Sequence, residues 1–200
     1  MSEDPVTLIA ERLRNLPEGG ALALKMRGAH YADDYLAALA SVFRDFATET
    51  QAYSIYVSVT NPSTLVRSLL ESLDIPPERV FFVDAISQIL MAGQKKIPNA
   101  SYVESPTMLE NIMLRVEYFL RKNASPRKLV FLDSVNSLAI HNDPAILSEF
   151  FHILVNNLKS RGVTIVILAV AEETGPEMEN ILGLVCDDTV RFGDGSEVPS

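Results

Sequence analysis

Hydrophobic positions along the chain follow two rhythms. Six short stretches are apolar almost throughout: ALALKM (21–26), YSIYVSV (53–59), VFFVDA (80–85), KLVFLDS (128–134), VTIVILAV (163–170) and DTVRF (188–192). Their length and β-branched content predict strands. Between them apolar residues recur every three or four positions, the period of a helix buried along one face. These are Tyr35, Leu36, Leu39, Val42, Phe43 and Phe46; Leu65, Val66, Leu69, Leu70 and Leu73; Ile112, Met113, Val116, Phe119 and Leu120; and Ile146, Leu147, Phe150, Phe151, Leu154, Val155 and Leu158.

Helix boundaries are marked by capping chemistry. Asp4-Pro5, Asn61-Pro62, Ser105-Pro106 and Asp143-Pro144 each place a side chain that can accept orphan N–H bonds before a proline suited to the first helical position. Gly162 suits the C-terminal end of the fourth helix. Strands with no polar face, separated by helices, must be covered on both sides, so the expected architecture is a three-layer α/β sandwich with a mostly parallel central sheet. Residues 1–192 are expected to form one domain, with the polar GDGSEVPS (193–200) a disordered tail. ISQILMAGQKKIPNASYVE (86–104) is the longest stretch with neither rhythm. Its length suggests either a functional loop or slack.

Charge and composition narrow the function classes. Seventeen basic against 26 acidic residues leave a net charge of −9, which opposes phosphate backbones unless the basic groups gather on one face. Only KK (95–96) and RK (121–122) stand out as basic clusters, so no nucleic-acid partner is expected. No apolar run approaches the ~20 residues of a membrane span, and MSEDPVTLIAERLR has no signal-peptide pattern, which reads as a cytoplasmic protein with no membrane contact. The single cysteine, Cys186, excludes an internal disulfide and a cysteine-based zinc cluster, and is expected to be a small buried residue. His30, His141 and His152 lie far apart, none with a second histidine or a carboxylate at metal-ligand spacing. His152 falls in an apolar helix, and only His30 has a position suited to function. Neither G-x-S-x-G nor G-x-G-x-x-G occurs. A response-regulator receiver would need an acidic pair after the first strand and a lysine after the fifth. Asp84 could end its third strand, but KMRGAH and LAVAEE lack the other parts.

The order of these pieces carries a resemblance. YSIYVSVTNPSTLVRSLLESL, VFFVDA, KLVFLDSVNSL with its D-S-x-x-S-L continuation, and GVTIVILAVAEE with the later DDTVRF resemble the RecA-like P-loop ATPases, particularly the KaiC-like branch. The likeness runs over roughly residues 20–192 and is most specific at KLVFLDS, which resembles the Walker B strand. In that family the first strand leads into G-x-x-x-x-G-K-[ST], where glycines let backbone N–H groups wrap the phosphates, lysine neutralises them and the hydroxyl ligates magnesium. Aligned on Gly28, this chain has Asp33 for the second glycine, Asp34 for the lysine and Tyr35 for Ser/Thr. One unit charge pair about 4 Å apart is worth ~4 kcal/mol at an effective dielectric of 20, so replacing one cation by two anions weighs heavily against a bound triphosphate. The aspartates suit the positive end of the following helix, and the loop is expected to be a self-capped helix start.

Asp133 matches the Walker B aspartate that orients magnesium. Without nucleotide it is expected to accept bonds from nearby backbone, Ser134 or Ser137, with a metal the lesser alternative. The water-activating glutamate after the second strand is replaced by Thr60 or Asn61. Glu172 and Glu173 read as exposed loop carboxylates. The resemblance thus implies a RecA-like P-loop fold with a degenerate Walker A motif, no catalytic residues and no cofactor, ATP and magnesium being disfavoured. It implies a pseudo-ATPase that regulates or scaffolds by binding a protein, an active KaiC-like relative among the candidates. Family rings hold nucleotide between subunits, so a dimer or mixed complex is expected before a ring. A second reading stays open: a nucleotide- or metal-dependent ATPase or sensor with Asp84, Asp133 and Glu172 around a divalent ion.

Overall fold

The computed structural model describes residues 4–90 and 96–192. In chain order come α1 (Pro5–Asn15), β1 (Ala21–Met26), and α2 (Tyr31–Leu39), which continues through a π-helical stretch (Ala40–Ala47) into α3 (Thr48–Thr50). Next are β2 (Tyr53–Ser58), α4 (Ser63–Ser72), β3 (Val80–Asp84), α5 (Ser87–Leu90), β4 (Ala100–Tyr102) and α6 (Leu109–Lys122). The last third holds β5 (Lys128–Asp133), α7 (Val135–His141), α8 (Pro144–Lys159), β6 (Val163–Val170), α9 (Pro176–Val185) and β7 (Asp188–Arg191).

The strands form one seven-stranded sheet in the order β4-β3-β2-β5-β6-β1-β7, and every pairing is parallel. Burial on both faces explains the unbroken apolar runs: all six positions of β1 and of β2 are buried. One face carries α1, the long α2–α3 helix and α4 over Leu24, Tyr56, Phe82 and Phe131; the other carries α6, α7, α8 and α9 over Ile55, Val83, Val130 and Ile167. Chain direction across the sheet reverses between β2 and β5, and the crevice outside the strand C-termini at such a reversal is where open α/β sheets place their sites.

Local expectations hold unevenly. Pro5 and Pro144 open their helices, and the Asp143 carboxylate accepts the Ala145 N–H at 2.8 Å. Gly162 takes a left-handed φ of 68° just past α8. Two proline boundaries move. α4 starts at Ser63, so Pro62 is itself the cap and the Asn61 side chain is released for another partner. Ser105-Pro106 instead opens a turn ahead of α6, which starts at Leu109, with Ser105 Oγ accepting the Thr107 N–H at 3.2 Å. The segment 86–104 is not irregular throughout: it holds α5 and the edge strand β4, whose residues pair with Phe82–Asp84. Residues 91–95 of that segment and the tail 193–200 lie outside the described residues. No described helix is long and apolar enough to cross a membrane.

Aromatic packing anchors the α2 face. The Phe131 ring, fully buried, has centroids 5.1 Å from Tyr56 and 5.3 Å from Phe43, so strand and long helix share one cluster. Phe131→Ala is therefore expected to lower unfolding stability by about 3–5 kcal/mol, measured by urea denaturation. A loss below about 1 kcal/mol would mean that this cluster does not bind helix to sheet.

Candidate functional site

β1 ends at Met26, Arg27 stays extended, and Gly28–His30 make one tight turn into α2. Backbone N–H groups at such a junction would face a phosphate in a nucleotide-binding loop. Here the chain's own carboxylates meet them. The Gly28 N–H donates to Glu172 Oε2 at 2.8 Å, from the turn after β6. The Arg27 N–H donates to Asp34 Oδ2 at 2.9 Å, and the Arg27 guanidinium grips both oxygens of the same carboxylate, Nη2 to Oδ1 at 2.6 Å and Nε to Oδ2 at 3.0 Å.

This clasp corrects the expected self-capped helix. Neither aspartate bonds a helix N–H: Asp33 is exposed, and Asp34 is buried and turned back across the tight turn. Both still lie in the first turn of α2, where negative charge is favoured. Burial works against the Asp34 carboxylate, but its bonds from Arg27 outweigh that and hold its pKa below the ordinary carboxylate value. Glu172 is exposed as expected, yet it is engaged, and the Gly28 N–H bond lowers its pKa. Lys25, two residues before the clasp, takes no part in it, since its buried ammonium pairs with Glu179 of α9 on the opposite face.

Beside the clasp, Asp133 closes β5 with no exposed surface. Its Oδ2 accepts from the Tyr56 hydroxyl, from Tyr35 at 3.2 Å and from Asn61 Nδ2 at 3.4 Å, while Oδ1 has no hydrogen-bond partner among the described residues. The Tyr35 and Tyr56 hydroxyls lie 2.6 Å apart, and Tyr31 stacks on Tyr35 with ring centroids at 5.6 Å. Expected partners thus change. Backbone N–H groups of Val59 and Thr60 bind the Asp133 carbonyl, not its carboxylate. Ser134 caps α7 by accepting the Ser137 N–H, and the Thr60 and Ser137 hydroxyls pair at 2.7 Å. Burial raises the Asp133 pKa more than these hydrogen bonds lower it. Burial, then the nearby Asp133 charge, raises both Tyr35 and Tyr56, so they remain neutral donors at neutral pH.

A cleft of about 270 Å³ remains above these groups, with Gly28, Tyr31, Thr60, Ser134, Ser137 and Glu173 in its wall. Asp84, proposed for a metal with Asp133 and Glu172, is elsewhere engaged. One of its oxygens accepts from the Ser63 N–H at 2.8 Å and the Ser87 hydroxyl at 2.6 Å, the other from the Ile86 and Ser87 N–H groups at 3.1 and 2.8 Å. Among the described residues no group of three or more His, Cys, Asp or Glu side chains is arranged to hold a metal ion. The His30 side chain is exposed and makes no hydrogen bond among them. Cys186 is half-buried, and burial pushes its thiol up to about 12, far from a reactive thiolate.

Arg27, Tyr31 and Tyr56 were not among the sequence candidates. Tyr56 did carry a signal: a phenol in the middle of a strand buried on both faces needs a hydrogen-bond partner. Arg27 carried none, and Glu172 stood out only as a loop carboxylate, because the partner of each depends on how the chain folds back at the sheet edge.

With this geometry in place, the chain has a parallel α/β fold similar to that of a KaiC-like protein. No family model and no curated protein matches the chain. Among solved structures it is similar to the KaiC-like protein PH0186 from the hyperthermophilic archaeon Pyrococcus horikoshii OT3, at 15% identity and a TM-score of 0.63, over 88% of this chain and 73% of that one. It is also similar to the uncharacterised protein PH0321 from Pyrococcus horikoshii, solved in complex with an unknown peptide. That match has 10% identity and a TM-score of 0.71, over 92% of this chain and 82% of that one.

The clasp has a measurable stability. Arg27→Gln leaves Asp34 buried with one N–H bond and is expected to lower stability at neutral pH. Because the Asp34 pKa is lowered on folding, the contribution is complete above the ordinary carboxylate range and fades as pH falls through the folded value. The gap between variant and wild type should therefore narrow as pH falls below the ordinary carboxylate range. Denaturant midpoints across this range check it, and a gap independent of pH would show that the guanidinium acts by packing alone.

Proposed function

We propose that this protein is a non-catalytic member of the KaiC-like fold group that works by binding another protein. The observation that carries the reading is the engagement of the β1–α2 loop by its own side chains: Glu172 on the Gly28 N–H and Asp34 on the Arg27 N–H. A triphosphate would have to displace two carboxylates whose protonation is made harder by those very bonds. It would then find Asp34, not lysine, beside it. The residues present do not fit a magnesium–nucleotide complex. The Ser/Thr position is Tyr35, whose ring stacks on Tyr31 and whose hydroxyl binds the carboxylate that would orient the metal.

The scaffold stays whole around this altered loop, which favours a role that needs its surfaces. PH0321, of similar fold, was solved with an unknown peptide, and that supports polypeptide as the class of ligand. The role is a regulatory or scaffolding subunit, with an active KaiC-like relative a candidate partner. Without nucleotide between subunits, a dimer or mixed complex replaces the ring.

Calorimetric titration with ATP and magnesium, with ADP alongside, tests the reading. No heat is expected at concentrations that would report a Kd of about 1 mM or tighter, and Asp34→Lys is expected to restore little, because Glu172 and Tyr35 remain. Micromolar binding accompanied by phosphate release would overturn it.

A further inference from the structure

We propose that the sheet edge opposite the clasp, where the strands begin, is a docking groove for a short acidic segment of a partner protein. Two adjoining hollows of about 960 and 620 Å³ lie there and share Gln51 and Ala52 as a common wall. Between them they touch the starts of β6, β5, β2 and β3, neighbouring strands in the sheet. Three inter-strand steps span about 14 Å, room for roughly four extended residues. Phe46, Ile75 and Phe81 supply apolar surface in its walls.

Charge identifies the occupant. Arg14, Arg79, Arg127 and Lys128 line the groove, against Glu18 and Glu49. Glu49 is already taken by Arg14, with Nη2 at 2.6 Å and Nε at 3.0 Å. Arg79, Arg127 and Lys128 have no ion pair or side-chain hydrogen bond among the described residues. Three cations with no ion pair among the described residues, Arg127 and Lys128 in one hollow and Arg79 in the other, run against a chain of net charge −9. A peptide with two or three carboxylates matches them in number and sign. A nucleic acid matches less well, since a phosphate backbone needs a longer run of cations and meets repulsion from the rest of the molecule.

The class of partner rests on the protein-binding reading above, but the groove shares no residue with the β1–α2 loop, so the two fail separately. The probe is a fluorescein-labelled short peptide alternating glutamate with leucine, read by anisotropy at low and moderate salt. Binding is expected to weaken with salt and to fall at least about tenfold in Arg127→Glu with Lys128→Glu. A charge-matched reversal of Arg115 and Arg191, outside the groove, should leave it within about twofold. If the Lys128 reversal prevents folding, Arg79→Glu at an exposed turn replaces it, with the same direction of change expected. Absence of binding, equal loss in the control reversal, or tighter binding of a single-stranded oligonucleotide through the same residues would overturn the proposal. ATP turnover would overturn the non-catalytic reading and leave the groove standing.

Discussion

A parallel sheet layered with helices sorts charge whether or not a ligand is present. After each of β1, β2, β5 and β6 the next helix starts at the same sheet edge, so positive helix ends and unpaired N–H groups gather there and something negative must meet them. In a nucleotide-binding loop that partner is phosphate. In this chain its own side chains do it at three of these starts: Glu172 at Gly28 and Asp34 at Arg27 before α2, Asp84 at Ser63 of α4, and the Ser134 hydroxyl at Ser137 of α7. The opposite edge receives the helix C-termini, where the last turns of α1, α6 and α8 carry Arg12, Arg14, Arg121, Lys122 and Lys159. One geometric rule thus accounts for the internally engaged site and for the basic side chains at the opposite edge, of which Arg14 lines the groove.

Asp133 shows a second way of managing buried charge. A carboxylate without exposed surface needs polar partners in place of water. Phenols take that place. Tyr56 and Tyr35 bring hydroxyls to one oxygen while their rings join the aromatic packing with Phe131 and Tyr31, so the residues that satisfy the carboxylate also fill the core beside it. Burial keeps the phenols protonated, and their donors pull back part of the rise that burial imposes on Asp133.

Fold and chemistry are separable at this site. The sheet order, the reversal between β2 and β5 and the KaiC-like likeness concern the scaffold, which hosts many activities. The site is decided by a few side chains at the end of β1 and β5. An arginine clasping Asp34 and a tyrosine bonded to Asp133 set what that edge offers a ligand, without disturbing a single strand.

Much of the fold was legible because its determinants are local or periodic. Runs such as VTIVILAV can be stable only when buried on both faces, and Asp143-Pro144 caps a helix by contacts within two residues. β4 was not legible: ASY is three residues long and becomes a strand only by pairing with Phe82–Asp84. At the site, sequence alone placed Asp33, Asp34 and Tyr35 after Gly28, with no lysine among them. Tertiary structure decided where those groups went. Glu172 lies 144 positions from Gly28, and Asp133 lies 77 from Tyr56, so only the strand order that brings β6 beside β1 and β5 beside β2 places each donor within reach of its acceptor.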